Sequence, residues 1–358
     1  MSKLRVLFRV DANSALGLGH IMRCLVLADV FRSRGHTCAF LSLNSDIDLL
    51  GILKNKGFKA EDLIGQFSDG GKIFSEKNKE FEDSNYSCIA DGLEYKPHIL
   101  IVDHYWIDHE WESHFKDRGV KILVLDDLAQ SKHNCDFLVH QTNVVSRVPY
   151  LSLTPPGTQI MVGFQYMILK AELHSERILL EKLPLKGRHI LVAFGLADPN
   201  NLTGTIGRIL SEFEFDTGLE ITILAGNSSI LRMVEQNLSS QSRNQVSLSL
   251  MTSDLDIMQL MRDTDYAVVA GGLMSIELAY LGIPCTVIPS SKIQDDVAKA
   301  LAQRVNNNVL RKSWTEDEVI HHLHATLVQQ RIGYRRIIHP DIDGLGADRI
   351  IEKVLSEL

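Results

Sequence analysis

The stretch Arg9-Val10-Asp11-Ala12-Asn13-Ser14-Ala15-Leu16-Gly17-Leu18-Gly19-His20-Ile21-Met22-Arg23-Cys24 decides how this chain is read. An apolar run from Leu4 to Val10, with Arg5 and Arg9 interspersed, predicts a short strand. A turn containing Gly17 and Gly19 follows. His20 then opens an apolar-periodic segment that predicts a helix over Ile21–Arg34. Strand, glycine-rich turn, helix is how an α/β sheet offers backbone N–H groups and a positive helix end to an anion. The imidazole at that helix start adds a group that moves protons near neutral pH. A lone Gly-x-Gly fits an ordinary βα turn with a capping histidine equally well, so the rest of the chain must decide.

Outward from this stretch, short apolar runs alternate with helix-length segments. Strands are expected at Thr37–Leu43, Ile99–Asp103, Val120–Leu125, Phe137–His140, His189–Phe194, Glu220–Ala225, Val246–Leu250, Tyr266–Val269 and Cys285–Ile288. Amphipathic stretches between them include Asp108–Arg118, Leu202–Phe213, Ile230–Asn237, Leu255–Arg262, Ser275–Leu281 and Gln294–Val305. Residues 60–85 read as a helix plus loop. Repeated βα units imply parallel sheets with helices on both faces. The alternation fades between Gln141 and Lys186, a span holding Pro149, Pro155, Pro156 and Pro184. The expected division is a first Rossmann-like domain over 1–165, a second over 166–345, and a C-terminal helix over 346–358, with roughly five strands per sheet. Two doubly wound parallel-sheet α/β domains facing across a cleft form the GT-B arrangement. Ligands then sit outside the carboxyl ends of the strands, so residues just after strands matter most.

Composition agrees. At 358 residues the chain is too long for one core. Hydrophobic residues at 45%, charged residues at 23% and a net charge of −8 without a basic block argue against nucleic acid or an acidic membrane surface as partner. No apolar run approaches ~18 residues and no leader pattern opens the chain, so neither membrane insertion nor export is expected and the location is expected to be cytoplasmic. Five scattered cysteines without a Cys-x-x-Cys pair read as free thiols.

Four strand-end clusters carry polar chemistry. The opening loop holds Asp11, Gly17, Gly19, His20 and Arg23. The second is Asp103-His104-Tyr105-Trp106-Ile107-Asp108. The third is Asp126-Asp127-Leu128, with His133, Asn134 and Cys135 nearby. These three belong to the first half, and their aspartates fit helix or turn caps as well as ligand contacts. In the second half, Gly195 and Asp198-Pro199-Asn200-Asn201-Leu202-Thr203 join a strand to a helix with Asn or Thr near its cap. Ala270-Gly271-Gly272-Leu273-Met274-Ser275-Ile276-Glu277 repeats that logic. Gly271 and Gly272 allow backbone to approach a diphosphate, and Glu277 is spaced to accept from ribose hydroxyls. The five-residue spacing of His104, His109 and His114 does not stack side chains on one helix face, and His321, His322 and His324 read as a solvated face. No metal is expected, and no nucleophile elbow or Walker sequence occurs.

Taken in order, these segments resemble the UDP-2,4-diacetamido-2,4,6-trideoxy-β-L-altropyranose hydrolase family of pseudaminic acid biosynthesis and its spore-coat polysaccharide relatives. The resemblance runs along nearly the whole chain, through Arg9-Val10-Asp11-Ala12, Gly19-His20-Ile21-Met22-Arg23-Cys24, Val102-Asp103-His104-Tyr105, Leu125-Asp126-Asp127-Leu128-Ala129, Asp198 to Thr203, Gly271-Gly272 with Glu277, and Asp343 to Arg349. It implies a GT-B fold, a UDP-sugar as small-molecule partner, no cofactor, and release of UDP by water attack at the anomeric carbon with inversion. His20 and Tyr105 take the catalytic positions. Asp11, Gly17, Gly19, Arg23, Asp103 and Asp127 are expected on the sugar, and Gly195, Gly271, Gly272, Ser275, Glu277 and Gln294 on the nucleotide. The helix start favours a neutral His20 ring, which can take a proton from water. The alternative is a GT-B glycosyltransferase using a UDP-sugar donor. The chain departs from the family at Leu273-Met274-Ser275-Ile276, where Ser-Thr-Thr-Trp is usual, and at Ile293, where an asparagine is usual. In the linker Lys170-Ala171-Glu172 stands for Arg-Pro-Glu.

Overall fold

The computed structural model describes residues 2–12, 18–42, 48–62, 95–196, 198–213, 218–238, 244–251, 256–305, 307–310, 313–331 and 336–358. Gly17 and most of the 60–85 segment lie outside the described residues. The chain divides into two compact units, Met1–Ile168 with Leu345–Leu358, and Leu169–Gly344.

The first unit is built on strands β1 (Arg5–Val10), β2 (Thr37–Ser42), β3 (Lys59–Asp62), β4 (Ile99–Asp103), β5 (Lys121–Leu125), β6 (Phe137–His140) and β7 (Gln159–Val162), in the order β3-β2-β1-β4-β5-β6-β7. Every neighbouring pair is parallel. Alternate residues leave opposite faces of a strand. Val6, Phe8 and Val10 join one core with Ile21, Cys24, Leu25 and Ala28 of the helix Gly19–Ser33. Leu7 joins the other, with Trp111 and Phe115 of the helix His109–Lys116. The helix Gly346–Ser356, set apart as 346–358 in the sequence division, packs Ala347, Ile350, Ile351 and Val354 into the first of these cores.

The second unit carries β8 (His189–Ala193), β9 (Glu220–Ala225), β10 (Gln245–Leu250), β11 (Tyr266–Val269), β12 (Cys285–Val287) and β13 (Asn308–Val309), ordered β10-β9-β8-β11-β12-β13 and again parallel throughout. The sheets therefore have seven and six strands, where about five each were expected. The additions β3, β7 and β13 lie at sheet edges and are two to four residues long, too short to show a period. The helices Leu49–Asn55 and Glu172–Leu180 were missed for the same want of pattern.

The strand order fixes where ligands belong. In the first sheet β1 has β2 on one side and β4 on the other, and in the second β8 lies between β9 and β11. The chain reverses direction of winding at each of these points, which opens a crevice past the strand ends. Val10 pairs with Asp103 across β1 and β4. Ala193 pairs with Val269 across β8 and β11.

Candidate active site

At the first crevice Asp103, the last residue of β4, is fully buried. The Nδ1 of His20, second residue of its helix, lies 2.6 Å from Asp103 Oδ1. Arg23, one turn further on, reaches the same carboxylate twice, from Nε and Nη2, each at 2.6 Å. His20 and Arg23 share a helix face because they are three apart. Burial raises the cost of the Asp103 charge, but Arg23 and then His20 outweigh it and hold the carboxyl well below the usual carboxylate range. With an ionised acceptor at that distance, Nδ1 carries the proton and donates, so in the neutral ring it is Nε2 that holds the lone pair. The 3.1 Å approach of Arg23 Nη2 to the same Nδ1 is then two donors sharing one oxygen.

Arg23 also donates from Nη1 to Asp127 Oδ1 at 3.0 Å. Asp127 is held by the turn after β5, where Asp126 accepts from the Leu128 N–H at 2.7 Å. Asp126 is braced in turn by His133, whose Nδ1 lies 2.7 Å from Oε1 of the fully buried Glu112. Burial works against the His133 cation, yet Asp126 and Glu112 raise its pKa to about 9. Tyr105 sets its ring edge-on to His20, centroids 4.8 Å apart. Burial, first, and Asp127 push its phenol up to about 12, so it stays protonated.

Asp11 follows β1 and is nine-tenths buried. It accepts from Arg9 Nη2 and from His104 Nε2, both at 2.9 Å. Arg9 points to the sheet face of Leu7, so its charge needs a partner there. Burial raises the Asp11 carboxyl, but Arg9 and His104 more than reverse this. Thus His20, Arg23, Asp103, Tyr105 and Asp127 converge directly, and Asp11 stands beside them through His104. Gly19 opens the His20 helix, and a Cβ there would meet nothing within 4 Å. His104 and His133 lay in the strand-end clusters without an assigned role, and Arg9 and Glu112 carried no expectation as site residues. A buried arginine inside a strand was the available signal for Arg9. The sequence reading considered the helix start alone near His20; the structure sets an anionic partner on the ring beside it, which supports the cation formed when Nε2 takes a proton.

The second crevice is built differently. Gly195 follows β8 with φ +83°. The next helix, Leu202–Glu212, is capped by Asp198, whose carboxylate accepts from the Leu202 and Thr203 N–H groups at 2.8 Å. Asn201 is the N-cap residue of that helix, in line with the expected Asn or Thr near its cap, but its side chain makes no cap hydrogen bond, and Asp198 takes the N–H groups instead. After β11, Gly271 lies so near the start of the helix Lys292–Ala302 that a Cβ would sit 2.5 Å from the Gln294 carbonyl oxygen. Gly272 caps the helix Leu273–Leu281 without a side-chain hydrogen bond. Ser275 donates its hydroxyl to Gly272 O at 2.7 Å, and Gln294 Oε1 accepts from the Ser290 N–H at 2.8 Å. Glu277 is buried, and among the described residues no hydrogen bond reaches its carboxylate. Burial raises its pKa, with Lys170 the opposing charge. Gly271, Gly272, Ser275, Glu277 and Gln294 thus gather past the end of β11, with Gly195 just past the end of the neighbouring β8. Among the described residues no group of three or more His, Cys, Asp or Glu is arranged to hold a metal ion, and no helix is long and apolar enough to cross a membrane.

No family model matches the sequence. An uncharacterised protein of Methanocaldococcus jannaschii is 22% identical over 88% of this chain, which spans 62% of that protein's length. The UDP-2,4-diacetamido-2,4,6-trideoxy-β-L-altropyranose hydrolase of Campylobacter jejuni is 26% identical over 84% of this chain and 97% of its own. The chain is a homologue of that hydrolase. A spore coat polysaccharide biosynthesis protein of Bacillus subtilis is 28% identical over 41% of this chain and 42% of its own. Among solved structures, MurG of Acinetobacter baumannii matches 99% of both chains with TM-score 0.65 at 13% identity. UDP-GlcNAc 2-epimerase of Neisseria meningitidis, bound to UDP-GlcNAc, matches 99% of this chain and 100% of its own with TM-score 0.63, also at 13%. At such identities the likeness shows the fold alone, and that fold is GT-B.

Proposed function

We propose that this chain is a nucleotide-sugar hydrolase that releases UDP from a UDP-diacetamido-trideoxyhexose, serving nonulosonic acid or surface polysaccharide biosynthesis in the cytoplasm. The observation that carries the reading is the His20 ring held by Asp103 with its Nε2 left as an acceptor. Homology to the Campylobacter hydrolase supports the substrate class. A water oxygen attacks the anomeric carbon and its proton passes to His20 Nε2. The bond from that carbon to the diphosphate oxygen breaks, and its electron pair leaves on UDP, with inversion. A nucleoside diphosphate is a good leaving group, so the main demands are a base and stabilisation of the departing charge. Asp103 steadies the imidazolium, and Arg23, itself held by Asp127, holds Asp103 in place. Tyr105, kept protonated, donates to or accepts from the sugar beside His20. Asp11, the loop of Gly17 and Gly19, and the rim of the Arg23 network complete the sugar side. In the second unit the N–H groups after Gly271 and Gly272 take the diphosphate, Ser275 and Gln294 shape that loop, Gly195 borders it, and Glu277 accepts from the ribose hydroxyls.

The test is His20→Asn. Release of UDP and free sugar from the UDP-linked diacetamido-trideoxyhexose should fall by about 10²–10⁴-fold, with UDP affinity and circular dichroism unchanged. Undiminished turnover in a folded variant overturns the reading. UDP release that waits for an added acceptor would show glycosyl transfer instead.

A further inference from the structure

Trp106 is a large apolar side chain left half exposed, at 50%, one residue from Tyr105 and three from Asp103. Tryptophan is commonly well covered in a folded chain, and a wet one with a fixed pose suits contact with a ligand that is itself part apolar. The pose here is fixed from several sides. His104 Nδ1 accepts from the Trp106 backbone N–H at 3.2 Å, which holds the main chain at this residue, while its Nε2 donates to Asp11 Oδ2 at 2.9 Å. Both ring nitrogens of His104 are therefore engaged in the neutral tautomer. Burial, first, and the nearby Arg9 lower its pKa, in keeping with that form. The indole meets the His104 ring with centroids 5.4 Å apart at 70°, and the Tyr105 ring at 6.4 Å and 83°. Tyr105 in turn meets His20. A chain of aromatic contacts thus runs from the proposed base out to an exposed indole, and Asp11 anchors it through His104.

We propose that Trp106 is a specificity-determining residue, an aromatic platform for the methyl-bearing part of the sugar. The proposal rests on the nucleotide-sugar reading above and deepens it. A trideoxy diacetamido hexose carries a C6 methyl and two acetyl methyls, so it offers an indole more apolar surface than a fully hydroxylated hexose does. Hydrophobic contact with such a group discriminates by about tenfold or more, because the hydroxylated analogue keeps its water instead. His104 acts through Trp106 as a positioning residue.

Binding decides the matter independently of turnover. On a His20→Asn background, affinities for UDP and for the UDP-linked diacetamido-trideoxyhexose are measured by calorimetry with Trp106, Trp106→Phe and Trp106→Ala. The expected result is a loss of about tenfold for the UDP-sugar in the alanine variant, little loss in the phenylalanine variant, and unchanged affinity for UDP. On the His20 enzyme, Trp106→Ala should raise KM more than it lowers kcat and narrow the preference over UDP-GlcNAc. Unchanged UDP-sugar affinity overturns the proposal, and so does an equal loss for UDP and UDP-sugar, which would mark a structural role. If the His20 enzyme binds the sugar nucleotide without hydrolysing it, the hydrolase reading fails and the calorimetric comparison still decides the platform.

Discussion

The two crevices use polar groups in opposite ways. In the first unit, Asp103 is met by His20 and Arg23, Arg23 also by Asp127, and Asp11 by Arg9 and His104. In the second, a glycine-capped helix start stands beside a buried carboxylate, Glu277, that no described hydrogen bond reaches. The first arrangement is finished before a substrate arrives, as a proton-transfer site requires, since its dipoles need not reorganise during reaction. On the proposed function the second would be completed by its ligand. A buried carboxylate that no described hydrogen bond reaches costs stability in the free protein even with Lys170 as the opposing charge, and on the proposed function ligand binding would offset that cost. Chemistry and affinity would thereby be separated along the chain on that same function.

That contrast breaks most visibly at Asp103. Asp103→Asn removes the group that orients His20 and leaves Arg23 short of an anion. Steady-state kcat should drop on the order of 10³–10⁴-fold, with UDP affinity within about twofold. The fold should lose about 3 kcal/mol in chemical denaturation. A comparable loss of UDP affinity would erase the distinction between the crevices.

Glu277→Gln should act with the reverse sign on stability. Because the folded protein holds the Glu277 proton more tightly than the unfolded chain, its stability falls as pH rises above the ordinary carboxylate pKa. The glutamine variant should therefore melt higher than the parent at pH 7, while UDP binds roughly tenfold more weakly by calorimetry for want of a charged acceptor. A variant that melts lower would mean that Glu277 is already satisfied in the free protein.

The remaining effect concerns the brace behind Asp127 and touches stability alone. His133 has its pKa raised by Asp126 and Glu112, so its contribution is complete below about pH 6.5 and is lost as pH climbs through about 9. Unfolding free energy should decline over that window by on the order of 2–3 kcal/mol, and His133→Gln should flatten the decline. A parent whose stability is level from pH 6.5 to 9 would remove His133 from the network.

Much of this was legible beforehand where the period is strong. Ile99–Asp103, Phe137–His140, Glu220–Ala225 and Tyr266–Val269 match the expected strands residue for residue, because buried parallel strands read as continuous apolar runs. The Gly19–Ser33 and Leu273–Leu281 helices begin two residues ahead of the expected starts, since their first turns contain glycine, histidine or methionine rather than a capping signal. The Leu202–Glu212 helix keeps Asn201 at its N-cap, near where the sequence put an Asn or Thr, but the Asp198 carboxylate reaches forward four and five residues from a backbone at φ +33° to take its first N–H groups, a geometry no spacing rule predicts.

By itself, the sequence determined the fold class and the strand ends at which polar residues gather, since both follow from local periodicity and from where apolar runs stop. Only the tertiary structure decided which of those residues meet. Asp103 is eighty residues from Arg23 and Asp127 more than a hundred, and it is the parallel pairing of β1 with β4 and of β4 with β5 that brings them within hydrogen-bond reach. The same pairing settled the tautomer of His20, because which ring nitrogen is free depends on a carboxylate that local sequence does not contain.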